Sequence, residues 1–316
     1  MADIYSLKSI LHYAIIYLWQ KQQTEVSEVR LVKAKYTIYS PVRVNLLGGW
    51  TDQLLWDESA AVINCAVGWH SNKCFKEIYP LRLDRLARFS SAITGRGTGL
   101  GISSIYAAMH YVQAFPERQE DYIRFVLEYE KAVLGTEGGW QDQIGGINPG
   151  FKLIVTPGDD AKRHRKFTIT RRDDHPIIER MVLFDTKVRR NAGLVGDQVR
   201  DLLQHDQSFR AHLREVARLA QKHFSGSAED MIQTCQHSWD TFVSFVPEMT
   251  IPKPMPKTEL IVGQMLVGAG GGGFGLAFAK DKENRQEVVD LFKKAGFWAT
   301  IPVLLPGVLL VDGKEE

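Results

Sequence analysis

The clearest pattern of apolar and polar positions lies just before two adjacent glycines. Val42, Val44 and Leu46 alternate with Arg43 and two further residues, and this period of two is typical of a β-strand. The alternation places Arg43 on the face opposite the valines. A second apolar run at 60–69 predicts another short strand.

Apolar spacings of three and four residues predict helices in several other segments. These predicted helices cover residues 4–22, a stretch beginning near 105, and residues 119–134, 192–223 and 226–246. Further strands are expected near 151–155, 166–170 and 181–184, with an exposed hairpin tip at 159–166, glycine-rich loops at 95–101 and 135–146, and strand-like, glycine-rich sequence from 260. Because strands and helices do not alternate regularly, the order favours an α+β fold over a doubly wound sheet.

Composition excludes some function classes without identifying one. The 316 residues are 44% hydrophobic and 24% charged, with a net charge of +2 and no basic stripe, so we expect no nucleic-acid partner. The three cysteines form no CxxC pair, which is typical of reduced thiols in a cytoplasmic protein. The apolar run 10–19 is shorter than the ~20 residues that a spanning helix needs, so we expect no membrane association.

The most specific candidate for ligand chemistry is the glycine-rich segment 95–104, which leads directly into a predicted helix. Glycines let the backbone approach a ligand closely, and the free N–H groups of a helix start favour an anion such as a triphosphate. A plain loop with a serine N-cap stays open as the alternative. The segment fits neither a Walker A loop nor a dinucleotide fingerprint. Its candidate binding residues are Gly95, Gly97, Thr98, Gly99, Leu100, Gly101, Ile102, Ser103 and Ser104.

Glu130 stands on the apolar stripe of the predicted helix 119–134, in register with Val126 and Leu134. A carboxylate that faces the protein interior is unfavourable unless a partner compensates its charge. A bound metal ion would meet that need, and so would a salt bridge. The helix pattern alone leaves both interpretations open.

Three other segments carry candidate side chains. Asp142 lies between two glycine pairs in the stretch 138–146, which could present the carboxylate to a ligand or form an ordinary turn. Arg43 precedes Gly48-Gly-Trp-Thr-Asp52 and could neutralise a buried carboxylate. A second glycine-rich stretch at 268–275 could be a tight bend against a neighbouring element.

Together these segments resemble the three motifs of the GHMP kinases, the superfamily that includes galactokinase, homoserine kinase and mevalonate kinase. Residues 41–52 look like the first motif, 95–104 like the phosphate loop and 267–275 like the third motif, in the expected order. The resemblance spans roughly residues 36–310. Within the superfamily, the sequences GGWTD and GGWQDQIGG most resemble those of the L-fucose kinases. The spacing from Glu130 to Asp142 more closely resembles that of the D-glycero-D-manno-heptose 7-phosphate kinases.

The resemblance implies a two-domain α+β GHMP kinase fold. Residues 1–178, including the helix 4–22, would form an N-terminal domain like the second domain of ribosomal protein S5. Residues 179–316 would form a ferredoxin-like C-terminal domain, with the site in the cleft between the two. The oligomeric state stays open, with a homodimer as a candidate assembly.

The resemblance also implies a role for each candidate residue. Ser103 and Glu130 would bind Mg²⁺, and the loop would hold the phosphates of ATP as co-substrate. Asp142 would be the catalytic acid-base, with Arg43 beside it. Gly49, Trp50, Asp52 and Asp142 would form the sugar site.

The function implied is an ATP-dependent kinase of a monosaccharide, L-fucose first, at the anomeric hydroxyl. A heptose 7-phosphate kinase is the first alternative, and a catalytically inactive sugar-binding or regulatory homologue is the second. Two departures from the family matter. Gly95 stands where the family has proline, and only 42 residues, 53–94, separate the first two motifs. Since part of that segment lines adenine in the family, we expect weak base contacts, with Trp69 or Phe75 as candidate stacking surfaces.

Overall fold

A computed structural model gives the architecture of most of the chain. It describes residues 36–54, 59–69, 81–82, 98–114, 122–130, 139–157, 167–188, 192–307 and 309–312. The predicted helix 4–22, the hairpin tip 159–166, Gly95, Gly97 and Phe75 lie outside these residues.

The first half of the chain contributes an antiparallel sheet around one long central strand. Strand β3 (Ala60–Gly68) pairs with β2 (Val42–Leu47), with β5 (Phe151–Thr156) and with β11 (Val303–Leu304), and β5 also pairs with β6 (Thr168–Arg171). All six residues of β2 are buried. Both faces of the strand are therefore covered by protein, and Arg43 is buried on the face opposite Val42 and Val44.

Within the described residues, four helices accompany this sheet. They are α1 (Thr51–Leu54), α2 (Ile102–Ala114), α3 (Tyr122–Tyr129) and α4 (Gln141–Ile147). The sequence predicted a loop where α4 stands, because two of its seven residues are glycines, which disfavour helix. Tertiary packing overrides that preference. Ile144 and Trp140 are buried against Ala60, Val62 and Ile154 of the sheet.

The second half of the chain forms a four-stranded antiparallel sheet. Its strands are β7 (Met181–Asp185), β8 (Ile261–Leu266), β9 (Phe274–Ala279) and β10 (Trp298–Thr300), in the order β10-β7-β9-β8. Helices α5 (Ala192–His205), α6 (Gln207–His223) and α7 (Ala228–Phe245) connect β7 to β8, and α8 (Arg285–Lys294) connects β9 to β10. This β-α-β-β-α-β order is ferredoxin-like, as predicted.

The long helix predicted at 192–223 is in fact two helices. Asp206 separates them, and its side chain accepts hydrogen bonds from the backbone N–H groups of Ser208 and Phe209. An aspartate at this position satisfies the free N–H donors at the start of the second helix. The spacing of apolar residues continues across the break, and for this reason it predicted a single helix. The helix predicted at 226–246 is present as α7, with Ser227 as its N-cap.

The end of the chain returns to the sheets formed by its beginning. Strand β12 (Leu309–Asp312) pairs with β1 (Tyr36–Ser40), which also pairs with β4 (Leu81–Arg82), and β11 pairs with β3. One cluster of buried side chains runs from Val44 in β2 to Phe184 in β7 and Phe292 in α8. The division at 178/179 stays a prediction. Among the described residues, the helices include none that is long and apolar enough to cross a membrane.

Candidate functional site

The centre of the candidate site is an ion pair between β2 and the start of α4. Arg43 Nε donates a hydrogen bond to Asp142 Oδ1 at 2.7 Å, and Nη2 donates to the same oxygen. The arginine side chain is only 3% exposed, whereas that of Asp142 is 27% exposed. The buried cation therefore orients a carboxylate that solvent or a ligand can still reach.

The same guanidinium also holds the glycine-rich loop. Arg43 Nη1 donates to the carbonyl of Gly99 at 2.7 Å, and the backbone N–H of Arg43 donates to the carbonyl of Leu100 at 3.2 Å. Gly101 has a φ of +69°, and a Cβ there would lie 3.0 Å from Arg43 Cγ and 3.1 Å from Asp142 Cβ. The described part of the loop, residues 98–101, is thus fitted closely against the ion pair.

The third glycine motif lies against the opposite side of this loop. Gly99 has a φ of +80°, and a Cβ there would lie 2.4 Å from the carbonyl oxygen of Val267. The backbone N–H of Phe274 donates to the carbonyl of Thr98 at 2.8 Å. The described part of the loop is in this way fixed by backbone contacts from both halves of the chain, ahead of helix α2.

The first motif contacts the site through Asp52. This side chain is 3% exposed, and its Oδ2 accepts a hydrogen bond from the backbone N–H of Gln141 at 3.0 Å. The carboxylate also leaves room only for a glycine at position 139, where a Cβ would lie 1.8 Å from Oδ2. Asp52 therefore holds the start of α4, and its expected role at a sugar hydroxyl stays a prediction.

Glu130, at the end of α3, is buried with 6% exposure, as its position on the apolar stripe predicted. Its Oε1 accepts a hydrogen bond from the hydroxyl of Ser104, whereas the neighbouring Ser103 is exposed. Burial raises the pKa of Glu130 to about 7; the Ser104 hydrogen bond lowers it, and the charges of Asp142 and Asp52 raise it further.

The Glu130 carboxylate and the Ser104 hydroxyl are oxygen groups of the kind that Mg²⁺ binds. Mg²⁺ takes oxygen ligands and needs few from the protein, with one or two carboxylates alongside substrate phosphates. Three or more His, Cys, Asp or Glu side chains in metal-binding proximity do not occur within the described ranges. Of the two serines considered from sequence, the structure brings Ser104 rather than Ser103 to Glu130, and the assignment of Ser103 stays a prediction.

Gly49 and Trp50, expected to shape the sugar site, line a small pocket with residues from the second half of the chain. The pocket has a volume of about 40 Å³. Helix α7 contributes Ser238, Trp239 and Phe242 to its wall. Sequence reasoning missed these residues, although their helical spacing alongside Cys235 marks one face of α7.

Trp69 is committed to packing within the protein. Its ring stacks on Phe274 with a centroid distance of 6.0 Å, and Trp298 packs edge-on at 5.5 Å. This packing argues against Trp69 as a free stacking surface for a base, and most of the segment 53–94 lies outside the described residues.

Comparison with solved structures defines the class of the fold. The Lin0012 protein from Listeria innocua superimposes with a TM-score of 0.63 at 13% identity, covering 88% of this chain and 99% of that one. A D-glycero-D-manno-heptose 1-phosphate kinase from Bacteroides thetaiotaomicron gives a TM-score of 0.55 at 15% identity, covering 87% and 98%. The chain has the two-domain α+β fold of the GHMP kinases, as the motifs predicted.

Sequence comparison adds a sugar kinase relative. A bifunctional fucokinase/GDP-fucose pyrophosphorylase from Arabidopsis thaliana is 30% identical over 221 residues, which are 61% of this chain. The chain spans 20% of the length of that protein. No family model matches the chain. The shared fold and this similarity together support the resemblance to GHMP sugar kinases.

Substituting Gly101 with alanine should lower the free energy of unfolding. A non-glycine residue at this positive φ costs on the order of 1–3 kcal/mol, and the added Cβ would also push against Arg43 and Asp142. Urea denaturation of Gly101→Ala beside Gly196→Ala provides the comparison. Gly196 is helical and its Cβ would meet Arg200 at an ordinary 3.5 Å, so that control should be neutral or stabilising. Equal midpoints in both variants would contradict the close fit at Gly101.

Proposed function

We propose that this chain is an ATP-dependent sugar kinase, which transfers the γ-phosphate of ATP to a hydroxyl of a monosaccharide. The observation that carries the proposal is the double engagement of Arg43. One guanidinium bonds both the accessible carboxylate of Asp142 and the carbonyl of Gly99 in the glycine-rich loop. A candidate base and a candidate phosphate loop are therefore neighbours, which is the arrangement that phosphoryl transfer needs.

In this mechanism the sugar hydroxyl attacks the γ-phosphorus, the bond from that phosphorus to the ADP oxygen breaks, and Asp142 takes the hydroxyl proton. Arg43 orients the carboxylate through two hydrogen bonds to Oδ1. Backbone N–H groups of the loop and of the start of α2 would hold the phosphates. Glu130 would hold Mg²⁺, with Ser103 as the serine that the motif predicts and the Ser104 hydroxyl bonded to the Glu130 carboxylate. When bound, this cation would neutralise charge on the phosphate oxygens.

Similarity to the Arabidopsis fucokinase supports L-fucose as the first candidate substrate, with the anomeric hydroxyl as acceptor. The heptose kinase among the structural neighbours supports a heptose phosphate as the alternative. A phosphorylated heptose would need an additional basic group for its own phosphate. A cytoplasmic location, a homodimer and the absence of nucleic-acid partners stay expectations from the sequence.

A panel of sugars with Mg-ATP tests the proposal directly. L-fucose, its six-carbon relatives and heptose 7-phosphate are each incubated with the protein, and phosphorus NMR locates the phosphate in the product. We expect a sugar 1-phosphate with L-fucose or a close relative. A higher kcat/KM for heptose 7-phosphate would reverse the ranking of substrates. Calorimetry that detects sugar binding without turnover of any sugar would instead favour a non-catalytic sugar-binding protein.

Asp142→Asn should abolish turnover on the sugar that the panel identifies. The amide keeps the shape of the carboxylate but cannot accept the hydroxyl proton, so we expect kcat to fall by at least the ~10²–10⁴-fold that general base catalysis supplies. Asp174→Asn is the matched control, since Asp174 is 83% exposed and pairs only at 3.5 Å with Arg172. Near-normal turnover by folded Asp142→Asn would remove Asp142 from the mechanism.

Glu130→Gln should change both the pH dependence of stability and the response to Mg²⁺. Since the folded-state pKa of Glu130 is raised from 4.5 to about 7, the wild type loses stability relative to the variant as pH rises between these values, by about 3 kcal/mol. Above that range the charged carboxylate is available to a cation.

Thermal denaturation at pH 8 with increasing Mg²⁺ and a non-hydrolysable ATP analogue measures the second effect. The melting temperature of the wild type should rise more than that of Glu130→Gln, because glutamine offers a hard cation no charge. Identical Mg²⁺ responses in the two proteins would show that Glu130 is a structural residue hydrogen-bonded to Ser104.

A further inference from the structure

Three buried polar side chains form a row across the first sheet, directly beneath helix α4. Asn45 in β2 is the register partner of Asn64 in β3, and Asn64 is the register partner of Lys152 in β5. Their exposures are 5%, 0% and 0%. Apolar residues occupy most of the remaining interior of this sheet, so a polar row here needs a physical reason.

All three side chains bond to helix α4. The Nδ2 groups of Asn45 and Asn64 donate to Gln141, the first to its side-chain Oε1 and the second to its carbonyl at 3.3 Å. Lys152 Nζ donates to the carbonyl of Gly145 at 2.9 Å and to that of Gly150 at 3.1 Å. The row therefore holds both ends of the short segment in which Asp142 lies.

Helix α4 needs such external support. It has seven residues, two of them glycines, and isolated helices of this length are unstable in water. Its apolar anchor is Ile144, which packs on the sheet together with Trp140. Gly145 leaves room for the row, since a Cβ there would lie 2.8 Å from Asn64 Nδ2 and 2.9 Å from Arg43 Cβ. Apolar packing and polar bonding thus act on different parts of the same helix.

Lys152 has the highest desolvation cost in the row, because it is the one member that can carry a charge. Complete burial lowers the pKa of its ammonium group to about 7, and the charge of Asp173 opposes part of this shift. A methionine of similar length would fill the site without this desolvation. The two carbonyl bonds are what a lysine adds, and a cation is also favourable near the C-terminal end of a helix.

We propose that Lys152 is a positioning residue for Asp142. By bonding the carbonyl of Gly145, it holds the C-terminal end of α4 on the sheet, while Asn64 and Asp52 hold Gln141 at the start. Because Gln141 and Gly145 are both held, the carboxylate of Asp142 between them stays aligned with Arg43. The positioning role rests on the proposed function of Asp142 as a base, whereas the hold on the helix does not.

Lys152→Met tests this role, because methionine keeps the stem of the side chain and removes the charge and all donors. Hydrogen exchange of the peptide that covers 141–147 should become at least about tenfold faster. On the sugar found by the panel, kcat per folded molecule should fall about 10–100-fold with the KM for Mg-ATP within about twofold, since small misplacements of reacting groups reduce rates by such factors.

Leu153→Ala is the control. Leu153 follows Lys152 on β5 but belongs to the core cluster on the other face of the sheet, so its truncation lowers stability without removing a bond to α4. The control should lower the melting temperature while leaving kcat per folded molecule and exchange at 141–147 near wild type. If Lys152→Met does not fold, Asn64→Ala, which removes the bond to Gln141, should produce the same faster exchange.

The proposal is overturned if exchange at 141–147 is unchanged in folded Lys152→Met, or in Asn64→Ala where Lys152→Met does not fold. It is also overturned if Leu153→Ala reproduces the loss of kcat at an equal loss of stability. Absence of turnover in the wild type would refute the proposed function instead. In that case the exchange data alone decide whether Lys152 holds helix α4.

Discussion

The site depends on one buried cation that must be paired. Arg43 lies inside the protein on a strand whose two faces are both covered, and an unpaired guanidinium there would be strongly destabilising. Its partners come from two distant parts of the chain, Asp142 on α4 and the carbonyl of Gly99. Satisfying the charge therefore fixes the relative position of the helix and the glycine-rich loop, as the proposed phosphate transfer requires.

Close backbone contacts make this arrangement rigid. Gly99 lies against the Val267 carbonyl, and Gly101 lies against the Arg43–Asp142 pair, in each case without space for a larger side chain. The loop is held by the first sheet on one side and by the chain leading into β9 on the other. N–H groups held in this way could bind an anion with little reorganisation, which is the physical advantage of a preorganised site.

Charge around the ion pair is unevenly compensated. Glu130 is buried, its pKa is raised by that burial, and the neighbouring charges of Asp142 and Asp52 raise it further. Ser104 provides a hydrogen bond but no positive charge. A cation that arrives with a ligand would compensate the charge of this carboxylate. This is the role proposed for Mg²⁺ bound to a phosphate chain.

The sequence by itself determined the segments that carry the chemistry. Alternation placed Arg43 opposite the valines of β2 and helical spacing placed Glu130 toward the interior, because these are local periodicities. The order of the three motifs predicted the fold through their resemblance to the GHMP kinases. Only the tertiary structure decided the partners: Ser104 rather than Ser103 at Glu130, Asp52 bonded to the backbone of Gln141, and the break at Asp206. Helix α4 and the row of Asn45, Asn64 and Lys152 had no local signal, since glycines disfavour that helix and strand register, formed across more than a hundred residues, brings the row together.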